Sequence, residues 1–177
     1  MLLQEEIYVP KIIKDLRDRL LAEAKRQITE NGYAATTVRS IARRCGLGVG
    51  TVYNYFESKE MLVATFVFED WKRYLSDIQE LPSDSPRELF EGIYNALRSF
   101  EGDNEKLFND SDAMKRISDK ADGRHKLLRE QIADFLRDVC NSDFEAKFIA
   151  EALICWSVEG VKFDTVYPIL EKIMKIT

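Results

Sequence analysis

The sequence is poor in the residues that build metal sites, disulfide frameworks and hydrolytic centres. Its 177 residues include one histidine, His125, and three cysteines, Cys45, Cys140 and Cys155. A single histidine excludes a histidine-based metal cluster or catalytic dyad around it, so we expect His125 to be a surface residue. An odd number of distant cysteines without a C-x-x-C pair predicts reduced, buried thiols in a cytosolic protein.

Signatures of enzymes and membrane proteins are missing as well. There is no G-x-S-x-G, H-E-x-x-H or Walker-type glycine loop, and the acidic residues around Asp110 lack the glycine of a calcium loop. We therefore expect no enzyme activity, no metal and no cofactor. Polar residues interrupt every apolar stretch before it could cross a bilayer, which predicts no membrane contact. The opening residues, MLLQEEIYVP, are acidic where a secretory signal is basic, which favours a cytoplasmic protein.

Charge is distributed unevenly around the net value of −5. Residues 1–60 hold ten Lys and Arg against eight Asp and Glu, giving +2, whereas residues 61–177 hold sixteen against twenty-three, giving −7. The direction of this asymmetry fits a nucleic-acid-facing domain at 1–60 and an acidic body at 61–177.

Apolar residues recur at helical spacing along the whole chain, which predicts an all-α protein of about nine helices. The first covers about 11–30 and ends at Asn31-Gly32. The segment LPSDSP at 81–86 is the clearest break, and the polar segment 103–119 is predicted as one helix between loops. The other predicted helices cover about 38–45, 48–54, 59–80, 86–100, 127–139, 143–160 and 166–176. Their predicted N-caps are Thr37, Ser58, Ser85 and Ser142.

Residues 37–56, TVRSIARRCGLGVGTVYNYF, have the spacing of a helix-turn-helix. Ile41 and Ala42 face inward on one short helix, Val52 faces inward on the next, and glycines flank the tight connection between them. The second helix of such a pair can enter the major groove of DNA. Its outward positions are Gly48, Val49, Thr51, Tyr53, Asn54 and Tyr55. Because glycine-turn helix pairs are common in globular proteins, the spacing alone leaves ordinary packing open.

From about Leu16 to Leu62 the chain resembles the DNA-binding head of the TetR family of bacterial regulators. The matching residues are a helix that ends in NGY, then TTV, then IARRCGLGVGTVYNYFESKEML. The string GTVYNYF followed by SKE-x-L is the most distinctive part of this signature. The remainder of the chain resembles the family in length, helical pattern and order.

The resemblance implies two groups of DNA contacts. Phosphate contacts are implied for Thr37, Tyr53, Tyr55 and Lys59. Base or groove contacts are implied for Arg39, Gly48, Val49, Gly50, Thr51 and Asn54. Many relatives carry Ser-Lys or a similar polar pair where this chain has Gly48-Val49, and the recognition helix here has no Lys or Arg. We therefore predict recognition through phosphates, methyl groups and DNA shape more than through guanines.

The resemblance also implies a sensor and a dimer interface in the body. Candidate linings of a small-molecule pocket, each equally consistent with ordinary core, are Trp71, Tyr74, Phe90, Tyr94, Phe100, Phe108 and Met114. Candidate members of a four-helix interface across a two-fold axis are Phe144, Phe148, Ala152, Trp156, Ile169, Ile173 and Met174. In such a homodimer the two recognition helices lie about 34 Å apart, and a ligand acts by shifting the fourth helix.

The resulting hypothesis is a dimeric transcription regulator, a repressor rather than an activator, that binds double-stranded operator DNA and is released by a small-molecule effector. Two alternatives stay open. One is a TetR-like co-activator or chromosome-organising DNA-binding protein without an inducer. The other is a small helical enzyme with an incidental helix pair, for which the body offers no reactive constellation.

Overall fold

The computed structural model describes residues 14–82, 85–121 and 124–175, and within these ranges the chain forms ten helices and no strand. They are α1 (Lys14–Asn31), α2 (Val38–Arg44), α3 (Val49–Tyr53), α4 (Lys59–Gln79), α5 (Pro86–Asp103), α6 (Glu105–Phe108), α7 (Ser111–Ala121), α8 (Arg124–Leu136), α9 (Asp143–Val158) and α10 (Phe163–Lys175). The all-α prediction is confirmed. None of the helices in these ranges has both the length and the apolar character needed to cross a membrane.

The additional helix arises in the segment 103–119, which the periodicity predicts as one helix. The structure divides it into α6 and α7 because Asp110 Oδ1 accepts a hydrogen bond of 2.9 Å from the backbone N–H of Ala113 and so begins a new helix. The predicted start of the first helix at residues 11–13 and the side chain of His125 lie outside the described residues.

Serine caps begin three of the long helices where the sequence places them. The hydroxyl oxygen of each accepts a hydrogen bond from the backbone N–H three residues later, at 3.1 Å for Ser58, 3.4 Å for Ser85 and 3.1 Å for Ser142. The last helix begins at Phe163, earlier than the predicted start near residue 166.

Buried apolar side chains form two clusters, and α4 contributes to both. The first joins α1, α2 and α3 to Leu62 and Phe66 of α4, and also takes in Leu107 of α6 and Ile117 of α7. The second joins Trp71 and Ile78 of α4 to α5, α8, α9 and α10. Because α6 and α7 reach the first cluster, the amino-terminal helices rest on the body. The boundary at residue 60 stays a prediction.

Ion pairs fix α1 against α4. The Lys25 ammonium lies 2.5 Å from Oδ2 of the buried Asp70, and Arg73 Nη2 lies 2.7 Å from Oδ1 of the same carboxylate. Arg17 and Glu69 form a second link between the two helices, at 3.3 Å. Loss of Lys25 would leave Oδ2 of the buried Asp70 without its ion-pair partner, and Arg73 would then be the one cation of these two still in contact with the carboxylate, so this packing is sensitive to Lys25.

The prediction of three buried thiols is wrong for Cys155, which is exposed because it lies on the outer face of α9. Cys45 and Cys140 are half-buried. Burial raises the pKa of the Cys140 thiol to about 11, which keeps it protonated and unreactive at neutral pH.

Candidate nucleic-acid interface

The N-terminus of α2 is built by a reciprocal cap. Thr37 has an extended backbone, with φ −128°, and its Oγ1 accepts a hydrogen bond of 3.0 Å from Ser40 N–H. Ser40 Oγ accepts in turn from Thr37 N–H at 3.1 Å, and it also lies 2.6 Å from Gln27 Oε1 on α1. The first turn of α2 is therefore tied to α1. The Thr37 hydroxyl is exposed, accepts in the cap, and keeps its own proton to donate to a phosphate.

Two glycines give the turn between α2 and α3 its shape, but for different reasons. Gly46 has φ +72°, which other residues adopt only with strain, so it ends α2 sharply. Gly48 has φ −72° and ψ 146°, an ordinary extended conformation, and it is the N-cap of α3 without a side-chain hydrogen bond. Its exposed backbone leaves room for close approach of a ligand.

Four of the ten implied contact residues lie on the outer face of α3 or directly after it. Tyr53 is 52% exposed, a large value for an aromatic side chain, and Asn54 and Gly50 are exposed beside it. Thr51 is half-buried. The exposed phenol of Tyr53 and amide of Asn54 provide the kinds of donor and acceptor that groove and phosphate contacts need.

Val49 and Tyr55 differ from the outward orientation that the spacing predicts. Both are half-buried and pack against the first cluster, and the rings of Tyr55 and Phe56 lie 6.5 Å apart. The physical reason is the shortness of α3, which needs side chains at both ends to hold it against α2. Their DNA contacts stay predictions.

Lys59 has a positioning role that the sequence did not indicate. Its ammonium donates hydrogen bonds of 2.9 Å to the carbonyl oxygens of both Tyr33 and Thr36, and it lies 3.6 Å from the centroid of the Tyr33 ring. Tyr33 is held from the other side because its hydroxyl donates to Glu60 at 2.8 Å. Lys59 thus fixes the loop that leads into Thr37, and one of its three N–H groups remains for a phosphate.

Arginines supply positive charge around this surface. Arg39, Arg43 and Arg44 are exposed on α2 and have no hydrogen bond or ion pair with the described residues. Helix α3 has no cation of its own, so the positive charge beside it lies on α2 and at Lys59.

A cavity of about 330 Å³ lies between helices α4 to α9. Four of the seven predicted pocket residues line it, namely Trp71, Phe100, Phe108 and Met114. The sequence reasoning missed other wall residues, including Phe68, Leu97, Leu128 and Ile154. Helical periodicity distinguishes apolar faces from polar ones, but it does not separate a cavity wall from a filled core.

The other three predicted pocket residues lie elsewhere and serve the packing of the body. Tyr74 donates a hydrogen bond of 2.8 Å to Asp103. Phe90 is fully buried in the second cluster. The Tyr94 hydroxyl lies 2.7 Å from the carbonyl oxygen of Trp156, and it also contacts the carbonyl oxygen of Val161, so it secures the end of α9.

Helices α9 and α10 carry exposed apolar side chains at four of the seven predicted interface positions. The exposed fractions are 77% for Phe144, 47% for Phe148, 46% for Trp156 and 61% for Ile169. The remaining three, Ala152, Ile173 and Met174, are half-buried. The rings of Phe144 and Phe148 lie 6.5 Å apart and present a continuous aromatic surface on α9. Exposed aromatic patches of this kind are typical of protein interfaces.

Comparison of the sequence with known proteins identifies a matching family model and similar regulators. Residues 20–65 match the family model described as "Bacterial regulatory proteins, tetR family". The HTH-type transcriptional repressor KstR2 of Mycolicibacterium smegmatis is 32% identical over 132 residues, which cover 69% of this chain and 63% of KstR2. The regulator UidR of Escherichia coli is 33% identical over 64 residues, covering 36% of this chain and 33% of UidR. The matched segments thus span less than two thirds of KstR2 and one third of UidR.

The likeness in fold extends over nearly the whole chain. The structure of GusR from Salmonella enterica superposes with a TM-score of 0.66 and covers 96% of this chain and 100% of its own, at 16% sequence identity. At that identity the likeness concerns the fold alone.

Proposed function

Because the chain belongs to the TetR family of bacterial regulatory proteins, we propose that it is a dimeric DNA-binding transcription regulator whose operator affinity is lowered by a small molecule. The helix-turn-helix of α2 and α3 binds DNA, the cavity takes the effector, and the exposed faces of α9 and α10 join two copies.

The observation that carries this proposal is the course of α4. The helix begins at Lys59, beside the loop that leads into Thr37, and further along it lines the cavity with Val67 and Trp71. A ligand that needs more room beside Val67 and Trp71 favours a different position of α4. Since Lys59 holds the α1–α2 loop, such a shift changes how the helix-turn-helix is presented. A ligand that binds the two positions with different affinity thereby changes operator affinity.

A second path runs through α6 and α7. Leu107, Phe108 and Met114 line the cavity, and Leu107 is also part of the first cluster. Lys106 donates a hydrogen bond of 2.8 Å to the carbonyl oxygen of Glu30 near the end of α1. The cavity wall therefore contacts the amino-terminal helices directly.

Repression is favoured over activation by the relatives. KstR2 and KstR of Rhodococcus jostii are both named transcriptional repressors. The proposal for this chain is that the unliganded dimer occupies its operator and the liganded dimer leaves it.

The DNA-binding part is tested by selecting duplexes from a random library and measuring affinity by fluorescence anisotropy. Asn54→Ala should weaken the selected duplex by about ten- to a hundredfold, since one good base contact contributes about 1–3 kcal/mol. Because Asn54 is exposed, folding should be unaffected. Gln79→Ala, at an exposed position at the end of α4, is the matched control. Failure of the protein to prefer any duplex over random DNA would end this proposal.

The dimer is tested by sedimentation equilibrium. Phe148→Glu places a charge in the exposed aromatic surface and should yield a monomer, whereas Ser76→Glu adds the same charge at an exposed position of α4 and should leave a dimer. A monomeric wild-type protein, or a dimeric Phe148→Glu variant, contradicts the assigned interface.

A further inference from the structure

The polar side chains that line the cavity differ in whether they have hydrogen-bond or ion-pair partners. Gln131 Oε1 accepts a hydrogen bond of 3.0 Å from the indole N–H of Trp71, and Ser157 donates one of 2.8 Å to the carbonyl oxygen of Ile154. The Arg129 guanidinium donates to the Glu151 carboxylate through Nε and through Nη2, and the distance from Nη2 to Oε1 is 3.2 Å. The positive charge of Arg129 is therefore already neutralised.

Among the charged side chains of the described wall, Glu101 is the exception. Its half-buried side chain lines the cavity from α5 and has no hydrogen bond or ion pair with the described residues. As far as the described ranges show, the wall therefore presents one carboxylate whose charge is not balanced. A carboxylate beside an apolar cavity attracts positive charge more strongly than one in open water, because less solvent screens it.

Four aromatic rings lie on the described wall among aliphatic side chains, those of Phe68, Trp71, Phe100 and Phe108. Trp71 and Phe100 have ring centroids 5.2 Å apart at 58°, and Phe100 and Phe108 have centroids 5.4 Å apart at 64°. Tilted rings in contact present both faces and edges to the space beside them, and the faces carry the negative part of the ring quadrupole. The ring of Phe68 already holds an ammonium, that of Lys72, at 4.7 Å from its centroid.

We propose that the effector is an organic cation, with an apolar body that fills the apolar cavity and a positively charged group directed at Glu101 and the aromatic rings of the wall. This inference rests on the proposed function, in which the cavity is the effector site. Aromatic faces and an unbalanced carboxylate stabilise the same charge. Among the described residues that line the cavity, the one cation is Arg129, which is paired with Glu151, so the wall itself offers an anionic ligand no unpaired cation to offset Glu101. The excess of negative charge in residues 61–177, −7 in total, further favours entry of cations.

Three probes with the same decyl chain separate charge from hydrophobicity: decyltrimethylammonium, 1-decanol and decyl sulfate. Their dissociation constants are measured by isothermal titration calorimetry on the full chain, below their aggregation concentrations. We expect decyltrimethylammonium to bind at least about tenfold tighter than 1-decanol, which corresponds to about 1.4 kcal/mol. Decyl sulfate should bind weakest.

Glu101→Gln keeps the size of the side chain and removes its charge. It should abolish most of the preference for decyltrimethylammonium while leaving 1-decanol binding unchanged. Glu80→Gln, the same exchange at an exposed position outside the cavity, should preserve the preference. Equal or tighter binding of 1-decanol or decyl sulfate to the wild type, survival of the preference in Glu101→Gln, or binding of none of the probes would overturn the inference.

Operator affinity measured with each probe separates this inference from the proposed function. If 1-decanol releases DNA as well as the cation does, the effector site stands and the cation inference fails. If the cation binds through Glu101 without changing DNA affinity, the preference for cations stands and the ligand-responsive function fails.

Discussion

Replacing Lys59 by methionine tests whether this residue positions the DNA-binding helices or only contacts DNA. Methionine keeps the apolar stem and removes the ammonium, so the carbonyl oxygens of Tyr33 and Thr36 each lose a donor at 2.9 Å. Thr36 is fully buried, and the region offers its carbonyl little water in exchange. The loop that precedes Thr37 would then be held less firmly.

The size of the effect follows from the contacts. Hydrogen bonds to charged groups contribute about 1.5–3 kcal/mol each. The contact with the Tyr33 ring adds about 0.5–1 kcal/mol. Part of this stabilisation is offset because burial removes water from the Lys59 ammonium. The same burial lowers the pKa of Lys59. We therefore expect Lys59→Met to reduce the free energy of unfolding by about 2 kcal/mol.

Urea denaturation measures this change as a lower midpoint at constant slope. Operator affinity should fall in parallel, because the N-terminus of α2 loses its fixed position. Lys115→Met is the matched control, since Lys115 is exposed on α7 and has no partner among the described residues; its effect on stability should stay within about 0.5 kcal/mol. A Lys59→Met protein that unfolds like the wild type yet binds DNA weakly would refute the positioning role.

Three smaller predictions concern the same surface. Gly46→Ala should destabilise the protein by about 1 kcal/mol because φ is +72° there, whereas Gly48→Ala, at φ −72° with open space around it, should unfold like the wild type; equal denaturation midpoints would contradict this. Thr37→Val removes the oxygen that caps α2 and should cost about 1 kcal/mol of unfolding free energy, with Thr37→Ser restoring it. Arg39→Gln should reduce the slope of log affinity against log salt by about 2 for a dimer, and an unchanged slope would place Arg39 away from the DNA.

The parts of the molecule that depend on near neighbours in the chain were predictable. Helix caps at Ser58, Ser85 and Ser142 and the turn at Gly46 follow from hydrogen bonds and backbone angles within a few residues, so the sequence is sufficient to locate them. The outward position of Tyr53 follows from helical spacing in the same way.

Errors arose where distant segments meet. Tyr94 and Trp71 are both buried aromatic residues at helical spacing, yet one closes the end of α9 and the other lines the cavity. Periodicity distinguishes inside from outside, but it does not show whether the space beyond a side chain is filled. Cys155 was predicted to be buried but is exposed. Because the outer face of α9 is also rich in apolar residues, its sequence does not distinguish that face from the inner one.

By itself, the sequence determined an all-helical chain with a helix-turn-helix near its amino end, because periodicity, caps and glycine turns act over short distances. Only the tertiary structure decided that Lys59 holds the loop before α2 and that α4 connects this loop to a cavity. It also decided that Glu101 lines that cavity without a hydrogen-bond or ion-pair partner in the part of the chain that the structure describes. These features depend on contacts between segments far apart in the chain. The pattern of residues along the sequence does not give the spatial distances between such segments.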